Sequence, residues 1–158
     1  MPVYRALYKG TKNVAPKSIN NLTQSARINH LDLRYDEGVS TITFYADVSS
    51  SSKPSSYSCI VSFKGVKRTD GLTEEEIIKG FQPKPSLSKH EILVRCSCPN
   101  YRFRFDKANR TAGAGTGARF PNYHRKTDRA PNNPYNLPGM CSHLIEFIDY
   151  LQKQGFIH

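Results

Sequence analysis

Tryptophan is absent from this chain, methionine occurs only twice, and cysteine occurs four times. Apolar side chains are also scarce: hydrophobic residues make up 37% of the 158 positions and the mean hydropathy is -0.58. The composition predicts one domain of ordinary size with a small core, surrounded by irregular segments to which 10 Gly and 10 Pro contribute. Nothing in the chain reaches the roughly 18 consecutive apolar residues of a membrane span, which argues against an integral membrane protein. The start, Met-Pro-Val-Tyr-Arg-Ala-Leu-Tyr-Lys-Gly, lacks the apolar stretch of a secretory signal, so no leader is expected. No long-period repeat is visible, which removes solenoid and propeller architectures.

Acidic residues are the other shortage. Thirteen Asp and Glu face 23 Lys and Arg, for a formal charge of +10, and this balance points to an anionic partner. The imbalance is concentrated between residues 91 and 143, where nine basic side chains meet three acidic ones. Three of the four cysteines fall in the same stretch.

The chain reads as three successive parts. Residues 1–30 show no sustained period and are expected to form an N-terminal arm. Residues 31–89 are β-rich. Leu31 and Leu33 alternate with polar residues, Asp36-Glu-Gly38 supplies a turn, and 40–48 is rich in β-branched and aromatic residues, which together predict a hairpin. Tyr57, Cys59, Val61 and Phe63 then share one strand face, which makes Cys59 a core residue. Thr73 to Gly80 has the capping pattern of a short helix. Residues 90–158 open with two extended runs around a break at Pro99-Asn100, with Tyr101, Phe103 and Phe105 expected on one strand face. A long basic loop follows over 106–139, including a Gly113-Ala-Gly-Thr-Gly117 stretch read as flexible. The chain closes with a helix on which Leu144, Ile145, Ile148 and Leu151 share a face and Gly155 supplies the stop. The expected class is α+β: a small antiparallel sheet, a β-β-α unit, long irregular loops and a C-terminal helix.

Cys96 and Cys98 are one residue apart, and Cys141 and His143 repeat that spacing after 42 intervening residues. Two close pairs of soft donors suit tetrahedral zinc, with one pair at a strand end and the other at a helix start. The competing arrangement is a disulfide joining Cys96 or Cys98 to Cys141 or Cys59 in an oxidising compartment.

The order Cys96-x-Cys98, then Cys141-x-His143, resembles the SWIM zinc finger, whose four ligands sit on a β-β-α unit. The likeness covers residues 90–152, with a long gap and no following Trp. The phrase Cys-Ser-Cys-Pro-Asn-Tyr-Arg-Phe-Arg-Phe and the later Pro-Gly-Met-Cys-Ser-His-Leu-Ile resemble small zinc-finger proteins encoded by tailed bacteriophages. This resemblance implies structural Zn²⁺ and a virion or assembly role, with a location in a virion assembled in the host cytoplasm.

Three thiolates and an imidazole fill a tetrahedral site and leave no position for an activated water, so the zinc is expected to be structural and the chain not an enzyme. A zinc deaminase needs His-x-Glu and Pro-Cys-x-x-Cys, and neither is present. The glycine-rich stretch lacks the flanking strand and the Lys-Ser/Thr of a phosphate loop. No small-molecule substrate is implied. Two binding roles stay open. In one, Arg102, Arg104, Arg110, Arg119, Arg125, Lys126 and Arg129, interleaved with Tyr101, Phe103, Phe105, Phe120 and Tyr123, contact the phosphates and bases of DNA. In the other, the loop and the arm order against neighbouring protein subunits.

Overall fold

The structure, a computed structural model, describes residues 2–20, 26–49, 55–67, 84–121 and 131–158. The helix expected over Thr73 to Gly80 lies outside them.

Four strands form one antiparallel sheet in the order β1-β2-β3-β4: β1 Arg27–Asp36, β2 Thr41–Ser49, β3 Ser56–Lys64 and β4 Glu91–Cys96. Alternation fixes the buried face. Ile42, Phe44, Ala46 and Val48 of β2 are buried while their neighbours are half-exposed, and Ile92, Val94 and Cys96 repeat this on β4. The register aligns these residues into rows across the sheet: Ile42–Phe63–Ile92, Phe44–Val61–Val94 and Ala46–Cys59–Cys96. Cys59 is a core residue, as its place in the alternation required.

The β1–β2 connection runs through a 3-10 turn over Glu37–Val39, where the Asp36 carboxylate accepts a hydrogen bond from the Gly38 N–H at 3.0 Å. Strand β1 starts earlier than its pattern suggests, because the register shifts between Asn29 and Asp32 and His30 takes a positive φ of 55°. Such a bulge breaks the two-residue period that identifies a strand. The outer edge of β4 is covered by chain from elsewhere: the Ile92 N–H donates to the Pro2 carbonyl at 2.9 Å and the Val94 N–H to the Ala114 carbonyl at 2.8 Å.

Helices cover the buried face. The first residues are not an arm, because Tyr4–Val14 forms helix α1, followed by α2 over Pro16–Asn20. Tyr4, Leu7, Tyr8 and Thr11 share one face at helical spacing, and Leu7 and Thr11 are completely buried. Two of those four are tyrosines and one is threonine, so a search for aliphatic periodicity passes over them. The second run of the expected β-β-α unit is also helical. Pro99–Arg104 forms α3 and Asp106–Thr111 forms α4. Pro99 stands at the first helical turn, where its missing N–H costs nothing. The alternating aromatics divide accordingly: Tyr101 and Phe105, four apart, are buried, while Phe103 is 44% exposed.

The C-terminal helix, α5, spans Ser142–Lys153 and lies across β2, β3 and β4. It buries Leu144, Ile145, Phe147, Ile148 and Leu151. Gly155, at φ 79°, ends it, and the Phe156 N–H turns back to the Leu151 carbonyl at 2.9 Å. The tail then pairs with the segment before β4: the Leu87 N–H donates to the His158 carbonyl and the His158 N–H to the Pro85 carbonyl. The fold is α+β, and no helix of the described residues is long and apolar enough to cross a membrane.

Candidate metal centre

Strand β4 ends at Cys96, two residues later Cys98 opens α3, and Cys141 and His143 flank the start of α5. Three elements converge there, and one ligand atom from each of Cys96, Cys98, Cys141 and His143 lies within 4.8 Å of every other. Tetrahedral zinc with Zn–S bonds of ~2.3 Å holds its sulfurs about 3.8 Å apart, so the cluster is close to ligating dimensions. The three cysteines are free thiols with at most 1% exposure.

The local hydrogen bonding suits thiolates. The Cys98 N–H points at the Cys96 sulfur at 3.5 Å, and the Tyr101 N–H points at the Cys98 sulfur at 3.4 Å. Cys98 thereby does for α3 what a serine or aspartate does at an ordinary N-cap. Hydrogen bonds from Cys141, Cys59 and Cys98 hold the Cys96 thiol well below its ordinary pKa. Burial pushes the Cys141 thiol well up. The Cys141 hydrogen bond draws Cys98 down, but that from Cys96 and burial outweigh it, leaving Cys98 pushed up to about 12. His143 Nδ1 is buried and has no hydrogen-bond partner among the described residues, while its ring rests on Tyr57 with centroids 4.9 Å apart. One ring nitrogen of His143 lies within 4.8 Å of all three sulfurs, and this buried set of three thiols and an imidazole fits a zinc ion.

The backbone leading into Cys141 is held by residues far away in sequence. The Asn109 carboxamide accepts from the Gly139 N–H at 2.8 Å and donates to the Gly139 carbonyl at 2.8 Å and to the Tyr101 hydroxyl at 3.1 Å. The Tyr101 hydroxyl donates in turn to the Val94 carbonyl at 2.9 Å. From α1, the Thr11 hydroxyl accepts from the Met140 N–H at 2.7 Å and lies 3.0 Å from the Leu7 carbonyl. Thr11, Tyr101 and Asn109 are each fully buried. Close packing makes this possible. A Cβ on Gly10 would run into the Pro138 carbonyl, and one on Gly139 would lie 2.5 Å from the Phe105 ring. None of Gly10, Thr11, Asn109 and Gly139 was identifiable as part of the centre from spacing alone.

The basic residues take several places. Arg102 lies with its guanidinium 5.0 Å from the Phe103 ring and 5.5 Å from Phe120. Arg95, on β4, stacks on the other ring of interest, Phe120, at 4.1 Å and donates to the Ala118 carbonyl. The Nε atoms of Arg102 and Arg104 are buried with no hydrogen-bond partner among the described residues. Arg110 pairs with Asp106 at 3.4 Å and donates to the Thr116, Gly117 and Ala118 carbonyls. That gathering of carbonyls, with Ala114 fully buried against β4, makes the glycine-rich stretch an ordered edge and corrects the reading of it as flexible. Arg119 is exposed. Arg125, Lys126, Arg129 and Tyr123 lie outside the described residues.

No protein-family model matches the chain, and it matches no curated protein and no solved structure. What defines the molecule is therefore its own geometry: an α+β chain with a buried Cys-x-Cys and Cys-x-His cluster able to hold a metal ion such as zinc.

Proposed function

We propose that this chain is a non-catalytic protein clamped by structural zinc, and that it acts by binding neighbouring protein subunits in an assembly. The observation that carries this reading is the closed donor set. Cys96, Cys98, Cys141 and His143 supply four soft ligands from a strand end and two helix starts. Bound there, the ion supplies cross-linking of those three elements, and with four protein donors it keeps no open position for a reacting water. The phage-like phrases around Cys98 and Cys141 support placing the assembly in a virion, where the basic loop pairs with acidic surfaces of neighbours.

Elemental analysis of the purified chain tests the clamp, with one zinc per chain expected. A chain that folds with no metal, and whose fold is indifferent to a chelator, overturns it.

A second reading, binding of nucleic acid, is favoured by the Arg95–Phe120–Arg102 stack, where two guanidinium groups share one half-buried aromatic ring. Anisotropy titrations with random single- and double-stranded DNA at low and high salt separate the two. Tight binding that weakens steeply with salt selects nucleic acid. Absence of DNA binding, together with a stable complex with an acidic protein partner, selects assembly.

A further inference from the structure

The fourth cysteine lies beside the centre without belonging to the donor set. Cys59, on β3, is 1% exposed, and its Sγ lies 3.6 Å from the Sγ of Cys96 on β4. The two residues are direct cross-strand partners. The next pair along, Ser58 and Ser97, carries the backbone hydrogen bond, from the Ser97 N–H to the Ser58 carbonyl at 3.0 Å. Cys59 and Cys96 therefore occupy a non-hydrogen-bonded position of the ladder, where opposed Cα atoms come within about 4.5 Å and side chains face each other most closely. That separation falls inside the Cα range of a disulfide, so closing the sulfurs to ~2.05 Å requires side-chain rotation and no slip of the strands. On the other side of Cys59, the row continues with Ala46, which is small.

We propose that Cys59 is a resolving thiol: on exposure to a peroxide it captures Cys96 as a Cys59–Cys96 disulfide, withdrawing one donor from the metal centre. The Cys96 thiolate attacks a peroxide oxygen. The O–O bond breaks, the departing hydroxide takes a proton from solvent, and Cys96 becomes a sulfenic acid. The Cys59 sulfur then attacks the Cys96 sulfur. The S–S bond forms as the S–O bond breaks, and the leaving hydroxide takes the Cys59 proton. Two electrons pass from the two sulfurs to the peroxide, and the products are one disulfide and two waters. Cys98, Cys141 and His143 alone remain as donors, and the metal is released. The disulfide keeps β3 and β4 zipped together while α3 and α5 lose their shared clamp. A reductant restores both thiols and the site.

Only the release arm rests on reading Cys96 as a zinc ligand. The pairing arm stands on the β3–β4 register. The experiment is a hydrogen peroxide titration of the full-length chain, with zinc content measured beforehand, released zinc followed with a chromophoric chelator, and cysteine-containing peptides mapped without reduction. Zinc release in step with a Cys59–Cys96 linked peptide, reversed by dithiothreitol, is the expected result. A chain that holds no zinc at the outset but still forms the Cys59–Cys96 link retains the pairing and overturns the metal reading. A Cys96 joined to Cys98 or Cys141, a Cys96 sulfinic acid beside reduced Cys59, or four unreacted thiols overturns the proposal. In Cys59→Ser, zinc binding is retained and the dithiothreitol-recoverable fraction is lost. Unchanged recovery in that variant counts against Cys59, and if the variant does not fold, the wild-type peptide map decides alone.

Discussion

Asn109 is the residue through which the loop before Cys141 is tied to the sheet. Its side chain satisfies both backbone groups of Gly139 and reaches Val94 through the Tyr101 hydroxyl. Replacing it with alanine strands those groups in a dry interior, at about 1–3 kcal/mol for each buried group left unsatisfied. We expect Asn109→Ala to lower the urea midpoint and to weaken zinc binding, whereas an exposed control such as Lys107→Ala changes neither. Tyr101 adds a pH signature. Burial raises its phenol far above the ordinary 10.0. The unfolded chain loses that proton first as pH rises through 10, so the folded state binds more protons there and stability falls with increasing pH. Denaturation midpoints measured through that range should decline in the wild type and less steeply in Tyr101→Phe. Among the donors themselves, His143→Ala and Cys98→Ser should each weaken zinc binding, as a competition titration with a chromophoric chelator reads directly.

The N-terminal helix belongs to the metal centre although it supplies no ligand. Helix α1 meets the 138–140 segment without a side chain between them at Gly10, and Thr11 bonds the Met140 backbone. Gly10→Ala forces the helix away from Pro138, and the expected result is a lower melting temperature with reduced zinc affinity. Thr11→Val should show a similar but smaller loss, and Thr11→Ser, which keeps the hydroxyl, should restore most of it. Helix α3 makes the complementary case. Its N-cap is a sulfur, so the same Cys98 both starts the helix and offers a donor. The strand expected here was suggested by aromatics at alternate positions, a pattern that a six-residue helix and its C-cap also satisfy when Tyr101 and Phe105 are buried and Phe103 is not. Over so short a run, periods of two and 3.6 residues diverge too little to distinguish them.

At the scale of the whole molecule, a metal ion held by the cluster would join the end of β4 to the starts of α3 and α5, elements that also share one apolar core. Structural zinc contributes on the order of 10–16 kcal/mol at neutral pH, comparable with the 5–15 kcal/mol that usually separates folded from unfolded domains. Chelation is expected to collapse the near-ultraviolet circular dichroism and shift the thermal transition sharply downward, with recovery on adding zinc. The affinity should also depend on pH. Cys98 and Cys141 have raised pKa values and are protonated near neutrality, while Cys96 is lowered. Zinc must displace the held protons, so the affinity rises with pH near neutrality, as the same competition measured at two pH values will read. The +10 charge belongs to this scale too, since a net charge of this size acts over the whole surface and not at one contact.

Local sequence determined what depends on near neighbours. The strand character of β2, the inward row of β3, the turn at Asp36-Glu-Gly38, the apolar face and glycine stop of the last helix, and the spacing of four soft donors were all legible, because two-residue and 3.6-residue periods and ligand spacing are written in adjacent positions. The convergence of Cys96 and Cys98 with Cys141 and His143 was an expectation that the tertiary fold alone brings to within 4.8 Å. Tertiary structure also decided that the first residues are a docked helix, that Thr11 and Asn109 hold the backbone before Cys141, and that Cys59 faces Cys96 across the ladder. Each is a contact between residues tens of positions apart, set by strand register and by close packing at glycine, and neither leaves a periodic trace in the chain.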